Sequence, residues 1–229
     1  MTLKPSEIQS FYDRFGKKQD LQSFYEDPAL EDLIANACFG EAENVFEFGC
    51  GTGRLAIHLL SEHLPASATY FGCDLSQTMI ELARERLAIY ERRARVIQSD
   101  GAMYFPFPDN SVDRVISTYV LDLLSENDIS EFMRKAYRIL NAGGKLCLVS
   151  LTNGTTFISR VVSNVWAAIF RLRSTIVGGC RPICLEQHIN SRYWELKYRN
   201  VVIAFGVPSE VLIAEAIIPA KKKADQSTL

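Results

Sequence analysis

The segment Val45-Phe46-Glu47-Phe48-Gly49-Cys50-Gly51-Thr52-Gly53-Arg54-Leu55 joins a short apolar run to a helical pattern through a glycine-rich turn. Glycine lets a backbone turn sharply and approach a ligand closely, so this turn is a candidate cradle for a nucleotide-like group. Gly49 and Gly51 fit the first half of the dinucleotide fingerprint, but Arg54 stands where its third glycine belongs. No Gly-Lys-Ser/Thr follows, which excludes a P-loop. Asp74 and Asp100 stand at the ends of the next two apolar runs. An acidic residue at the first of these ends can accept hydrogen bonds from ribose hydroxyls, a role common to several nucleotide cofactors. Tyr119 and Asp122 follow the fourth run, and His188 lies in a segment expected to cover a pocket. These three are the candidates for orienting or deprotonating a substrate. His58 and His63 follow the glycine turn, and His63 is expected at the surface. Cys180-x3-Cys184-x3-His188 offers the three side chains of a catalytic zinc site. Pro182 breaks their helical face and no fourth ligand is near, so no metal is expected.

These residues need a scaffold that brings the ends of several runs together. Residues 5–39 read as helical, with Ile8, Phe11, Tyr12 and Phe15 on one face and Leu30, Leu33, Ile34 and Ala37 on another. Gly40 stops the second helix. An alternation follows. Strands are expected at 45–48, 69–73, 95–98, 112–117 and 145–151, separated by helices carrying Leu55, Leu59 and Leu60, then Met79 to Tyr90, then Ile129 to Leu140. Ser76 suits a helix N-cap, and Ser125 with Asp128 forms a capping-box pattern. Pro106, Pro108, Asp109 and Asn110 make a turn cluster, and Gly143-Gly144 ends the last of these helices. Residues 156–172 form an amphipathic helix whose apolar face, with Phe157, Val161, Val165, Trp166, Ile169 and Leu172, is expected to pack on the sheet. Trp194 to Phe205 and Glu210 to Ile218 read as a closing antiparallel hairpin turned at 206–209. The fold class expected is α/β, a doubly wound, mostly parallel seven-stranded sheet with a C-terminal antiparallel hairpin.

With glycines running G-x-G-x-G behind Glu47, and with acidic residues at successive strand ends, the chain resembles the class I S-adenosylmethionine-dependent methyltransferases. Glu47-Phe48-Gly49-Cys50-Gly51-Thr52-Gly53 is similar to that family's first motif, and the order of elements matches over roughly residues 40–218. The resemblance implies a Rossmann-like fold and S-adenosyl-L-methionine as cofactor, released as S-adenosyl-L-homocysteine. It implies that Glu47 and the backbone of Gly49, Cys50, Gly51 and Gly53 hold the methionine part, and that Asp74 holds the ribose. Leu75 and Met79 would pack on adenine and ribose, Asp100 would accept from the adenine amino group, and Gly101 and Ala102 would offer backbone to the ring. Ser117 and Tyr119 would line the sulfonium. Methyl transfer of this kind is an in-line displacement, in which the protein positions the acceptor and excludes water.

The fourth-strand motif Ser-Thr-Tyr-Val departs from the Asn/Asp-Pro-Pro-Tyr/Phe pattern of enzymes that methylate amide or nucleobase nitrogens. The 229 residues carry 25 Lys and Arg against 27 Asp and Glu, a net charge of -2, which gives no bulk attraction for nucleic acid. The expected partner is therefore a small-molecule acceptor, an apolar one included, and the layout is similar to the ubiquinone/menaquinone-biosynthesis-like branch. No nucleic-acid partner and no integral membrane association are expected, while Arg160, Arg171 and Arg173 leave a peripheral membrane contact open. Tyr12, Tyr25 and Trp166 are the candidate acceptor contacts. One domain is expected over 1–229, with 1–39 as a helical lid, 40–218 as the core and 219–229 as a tail. Six cysteines, three of them in or beside apolar runs, fit a reduced, cytoplasmic protein. Two other readings stay open, a nicotinamide-dependent oxidoreductase and a non-catalytic subunit that binds the cofactor.

Overall fold

Alternation of large apolar side chains decides where the central strands sit. Val45 and Phe46 are both buried but point to opposite faces of β1 (Asn44–Phe48), as successive strand residues must. In the computed structural model, which describes residues 2–103 and 105–218, β1 lies inside one seven-stranded sheet. The other strands are β2 (Thr69–Asp74), β3 (Ala94–Gln98), β4 (Val112–Thr118), β5 (Leu140–Leu151), β6 (Trp194–Ala204) and β7 (Val207–Ala216). Their order is β3-β2-β1-β4-β5-β7-β6. The first five pair in parallel, and β7 runs antiparallel to both β5 and β6. This is the doubly wound sheet with a closing hairpin. The expected tail lies outside the described residues.

Two apolar layers flank the sheet. One joins Val45, Tyr70, Ile116 and Ile213 to Leu33 of α2 (Ser23–Asn36), to Leu55 of α3 (Arg54–His58) and to Ile80 of α4 (Gln77–Leu87). The other joins Phe46, Val115, Leu146 and Leu212 to Phe132 and Ile139 of α5 (Glu126–Ile139). Opposite α4, the second face is covered by Phe105 and Phe107 from the connection between β3 and β4, which carries the expected turn prolines in place of a helix. Ser76 and Ser125 cap α4 and α5, each accepting a backbone N–H three residues on.

Three expectations change. The hairpin turns at Phe205-Gly206, both with positive φ (51° and 83°), rather than at 206–209. That is the two-residue turn whose twist matches the flanking strands. Pro208 therefore falls inside β7, beyond the end of its pairing with β5, where its missing N–H costs no ladder bond to that strand. The helix α6 (Phe157–Arg173) does not lay its apolar face on the sheet. It buries Ser159 and Ser163 instead and leaves Phe157, Val161, Val165 and Leu172 exposed. Periodicity shows that a helix has an apolar face, but not which side approaches its neighbours. Finally, residues 1–39 are not a lid throughout. A first helix, α1 (Pro5–Phe15), packs beside α4 and borders the loops at the strand ends, whereas α2 packs with the sheet through Ala29 and Leu33. Among the described residues, no helix is long and apolar enough to cross a membrane.

Candidate functional site

The parallel strands end along one edge, and the loops leaving them enclose two adjoining chambers. The outer one has a cavity volume of about 470 Å³ and is bordered by Gly49, Asp74, Leu75, Ser99, Gly101, Ala102 and, from α1, Pro5, Ile8 and Gln9. Such a volume suits a cofactor-sized ligand. The inner one, about 100 Å³, is bordered by Glu47, Cys50, Gly51, Met79, Tyr119 and, from the N-terminal segment, Gln19, Tyr25 and Glu26. Tyr12, Val120 and Leu123 border both.

Backbone geometry sets the glycine turn. At Gly49, φ is +83° and an added Cβ would stand 2.2 Å from Cγ2 of Val120, so only glycine allows β1 and the loop after β4 to meet there. The Gly49 and Cys50 amides both donate to the Cys73 carbonyl (2.8 and 2.9 Å). The Gly51 and Ser76 amides donate to the two carboxylate oxygens of Asp74, each at 2.9 Å. Asp74 thus ties the end of β2 to the glycine turn while bordering the outer chamber.

The inner chamber is rich in acceptors. Glu47 is fully buried and receives a hydrogen bond from the Tyr70 hydroxyl. Burial pushes its carboxyl up to about 7, opposed by that hydrogen bond and reinforced by the charge of Asp74. Glu26 is also pushed up to about 7 by burial, against the pull of the Arg54 guanidinium 2.7 Å away. Behind the wall, Asp122 is fully buried and likewise pushed up to about 7 by burial. Its Oδ2 accepts only a long contact from the Leu151 amide (3.4 Å). Asp122 Oδ1 and Gln19 Oε1 are buried with no hydrogen-bond partner among the described residues. Unpaired buried acceptors are costly, on the order of 1–3 kcal/mol each, and of these two residues Gln19 borders the inner chamber. Burial also pushes up the phenols of Tyr12, Tyr25 and Tyr119 and the Cys180 thiol, which keeps all four neutral. Tyr119 takes positive φ (56°), a strained choice for a non-glycine residue. Its hydroxyl donates to Ser209 (2.9 Å) and its ring meets Tyr25 edge-on.

The glycine-rich region also matches known proteins. Residues 45–144 match the family model described as a methyltransferase domain. A tRNA N(3)-methylcytidine methyltransferase of Drosophila melanogaster is 31% identical over 126 residues, covering 54% of this chain and 39% of that protein. An uncharacterized methyltransferase of Bacillus mycoides is 35% identical over 140 residues, covering 59% of each. The chain thus spans well under two thirds of the length of these curated relatives. Among solved structures, the Haloferax volcanii complex between the Trm112 methyltransferase activator and a methyltransferase contains a chain of the same fold. Its TM-score is 0.70 at 14% identity, covering 91% of this chain and 97% of that one. Over residues 45–144 the chain is thus similar to methyltransferase domains, and its fold is that of a solved methyltransferase.

Of the expected site residues, Glu47, Gly49, Cys50, Gly51, Asp74, Leu75, Met79, Gly101, Ala102, Tyr119, Tyr12 and Tyr25 all border one or other chamber. Met79 borders the inner chamber and not the outer one where Leu75 lies. Six residues expected at the site border neither. Gly53 faces α4, where an added Cβ would stand 3.1 Å from that of Ala83, so it serves helix packing. The Ser117 hydroxyl donates to the Phe48 carbonyl inside the sheet. The Asp100 carboxylate is exposed and accepts from the Ala102 amide in a local turn. Trp166 packs beneath α6 and donates to the Cys180 carbonyl. His188 lies in a separate hollow with Met133, Tyr137 and Trp194 on the α5 face of the sheet. Asp122 borders neither chamber directly, but its charge reaches Tyr12 and Tyr25 on their walls.

Sequence reasoning missed how the N-terminal segment is fastened to this site. Asp13 accepts from the Ser76 hydroxyl (2.6 Å), and Asp20 accepts from the Thr52 hydroxyl (2.6 Å) and Arg86 (2.6 Å). Glu26 and Asp27 both pair with Arg54. Acidic residues recurring through 13–27 were the available signal, but their partners lie on loops distant in sequence.

Proposed function

We propose that this protein transfers a methyl group from S-adenosylmethionine to a small-molecule acceptor. The observation that carries the reading is the acceptor-lined inner chamber opening on a cofactor-sized outer one at the glycine turn. The residues fit the cofactor. Asp74 and Leu75 would border its ribose and adenine beside Gly101 and Ala102, and Glu47, Gln19 and the Gly49–Gly51 turn would face its ammonium. When bound, the cofactor supplies an electrophilic methyl group on a sulfonium. Buried carboxylates at Glu26, Glu47 and Asp122 favour positive charge nearby, which a nicotinamide ring-and-phosphate ligand would offer less well. Tyr12 and Tyr119 present neutral hydroxyls to the acceptor, α1 shuts out water, and Asp122, its carboxyl pushed up to about 7, acts on the site only through its charge on Tyr12 and Tyr25.

The Drosophila relative's tRNA substrate raises a second reading, an RNA base as acceptor. The net charge of -2, the small inner chamber and its carboxylate wall favour a small acceptor instead. One domain holding both chambers and six free cysteines suit a cytoplasmic enzyme. Calorimetry with S-adenosylmethionine and S-adenosylhomocysteine tests the cofactor, and binding of neither would end the proposal. Incubation with labelled cofactor and either a metabolite extract or unmodified tRNA then tests the acceptor. Label entering tRNA alone would replace the small-molecule reading with the RNA one.

A further inference from the structure

Past His58, α3 widens into a π-turn over Leu59–His63, closed by the Leu64 amide on the Leu59 carbonyl (2.8 Å). In a regular α-helix, residues five apart point roughly 140° away from each other. The wider turn brings them onto one side, a geometry often found at functional sites. Here it sets the His58 and His63 rings 4.9 Å apart with their Nε2 atoms at 3.3 Å. Glu62 Oε2 stands 3.5 Å from the same His58 Nε2. One ligand atom from each of the three lies within 4.8 Å of the others, the one such group of three among the described residues. Cys180, Cys184 and His188 form no such group.

We propose that His58, Glu62 and His63 bind one divalent transition-metal ion, with zinc the best fit. Zinc sits about 2.0–2.1 Å from histidine nitrogen and about 2.0–2.2 Å from carboxylate oxygen, in tetrahedral geometry. Two such ligands are therefore about 3.3–3.5 Å apart, which are the separations of His58 Nε2 from His63 and from Glu62, while Glu62 and His63 lie within 4.8 Å of each other. Without a cation the arrangement is awkward. His58 Nε2 has one hydrogen or one lone pair, yet it confronts both His63 and Glu62. A cation among the three takes a lone pair from each. The other nitrogen of His58 faces Glu31 of α2 at 3.7 Å, where a carboxylate can fix the ring's tautomer and orientation, as outer partners of metal-bound histidines do. Glu62 is largely exposed, so a fourth position is open to water. None of the three ligands borders either chamber, so the ion does not take part in methyl transfer. It ties the π-turn and, through Glu31, steadies α2, which carries Tyr25 and Glu26 to the inner chamber.

The test is calorimetric titration of the chelator-treated full chain with zinc chloride, alongside its melting temperature. One equivalent should bind and raise the melting temperature. His58→Ala and His63→Ala should each weaken binding by about 100-fold or more, and exposed Glu62→Gln, which leaves packing untouched, by about 10-fold or more. Cobalt(II) should give the visible bands of a tetrahedral nitrogen and oxygen site, with no thiolate charge-transfer band. The double variant Cys180→Ser/Cys184→Ser should bind zinc as the parent does. Absence of binding, unchanged affinity in Glu62→Gln and His63→Ala, or loss in the cysteine variant would each overturn the proposal.

Discussion

Replacing Glu47 by Gln is expected to stabilise the free protein at alkaline pH and to weaken cofactor binding at the same time. The Glu47 carboxyl is 1% exposed, and burial pushes it from an ordinary 4.5 up to about 7. At 1.36 kcal/mol per unit, the folded protein favours the protonated form by about 3 kcal/mol more than the unfolded chain does. Between those two values the folded state holds a proton that the unfolded chain has released. Stability therefore falls as pH rises through this window and stays reduced above pH 7. Glutamine has no proton to lose and still accepts from the Tyr70 hydroxyl. The variant should match the parent near pH 4.5 and exceed it by up to about 3 kcal/mol at pH 8. A cationic ligand beside Glu47 reverses the balance, because it favours the charged carboxylate and expels the proton. Glutamine forfeits that attraction, a loss of about 1–3 kcal/mol in binding. Denaturant unfolding at both pH values, with calorimetry in buffers of differing ionisation enthalpy, reads all three effects. A variant less stable than the parent at pH 8, or one that binds S-adenosylmethionine equally well, would refute the reasoning.

Gly49→Ala should lower stability by about 1–3 kcal/mol, because the new Cβ meets Val120 at a positive φ; thermal melting checks it. Asp74→Ala should weaken S-adenosylhomocysteine binding by about 1–3 kcal/mol through lost charge-assisted hydrogen bonds, and unchanged affinity would mean the ribose is held elsewhere. His188→Ala should leave turnover at the parental rate, since the ring lies on the α5 face of the sheet; a large fall in turnover would return it to the catalytic candidates.

Local chemistry made much of this protein legible. Strand ends, helix caps and the G-x-G-x-G turn depend on neighbours within a few residues, so Val45 to Arg54, Ser76 and Ser125 announce their elements directly. The same holds for Glu47, Gly49 and Asp74, whose places follow from standing at strand ends in a parallel sheet. His188 and Trp166 were misplaced because spacing cannot say which side of the sheet a later segment returns to. Asp100 and Ser117 sit at the right strand ends, but side-chain direction turned one into a turn and the other into the sheet.

What the sequence by itself determined was the order of strands and helices, the glycine-rich turn and the absence of a basic excess, all properties of short stretches or of composition. Only the tertiary structure decided that α2 joins the core while α1 covers the cleft, that Asp13, Asp20, Glu26 and Asp27 fasten the N-terminal segment to the motif loops, and that a π-turn faces His58 toward His63. Each of these depends on partners brought together by packing, or on a helix widening that the 3.6-residue period does not foretell.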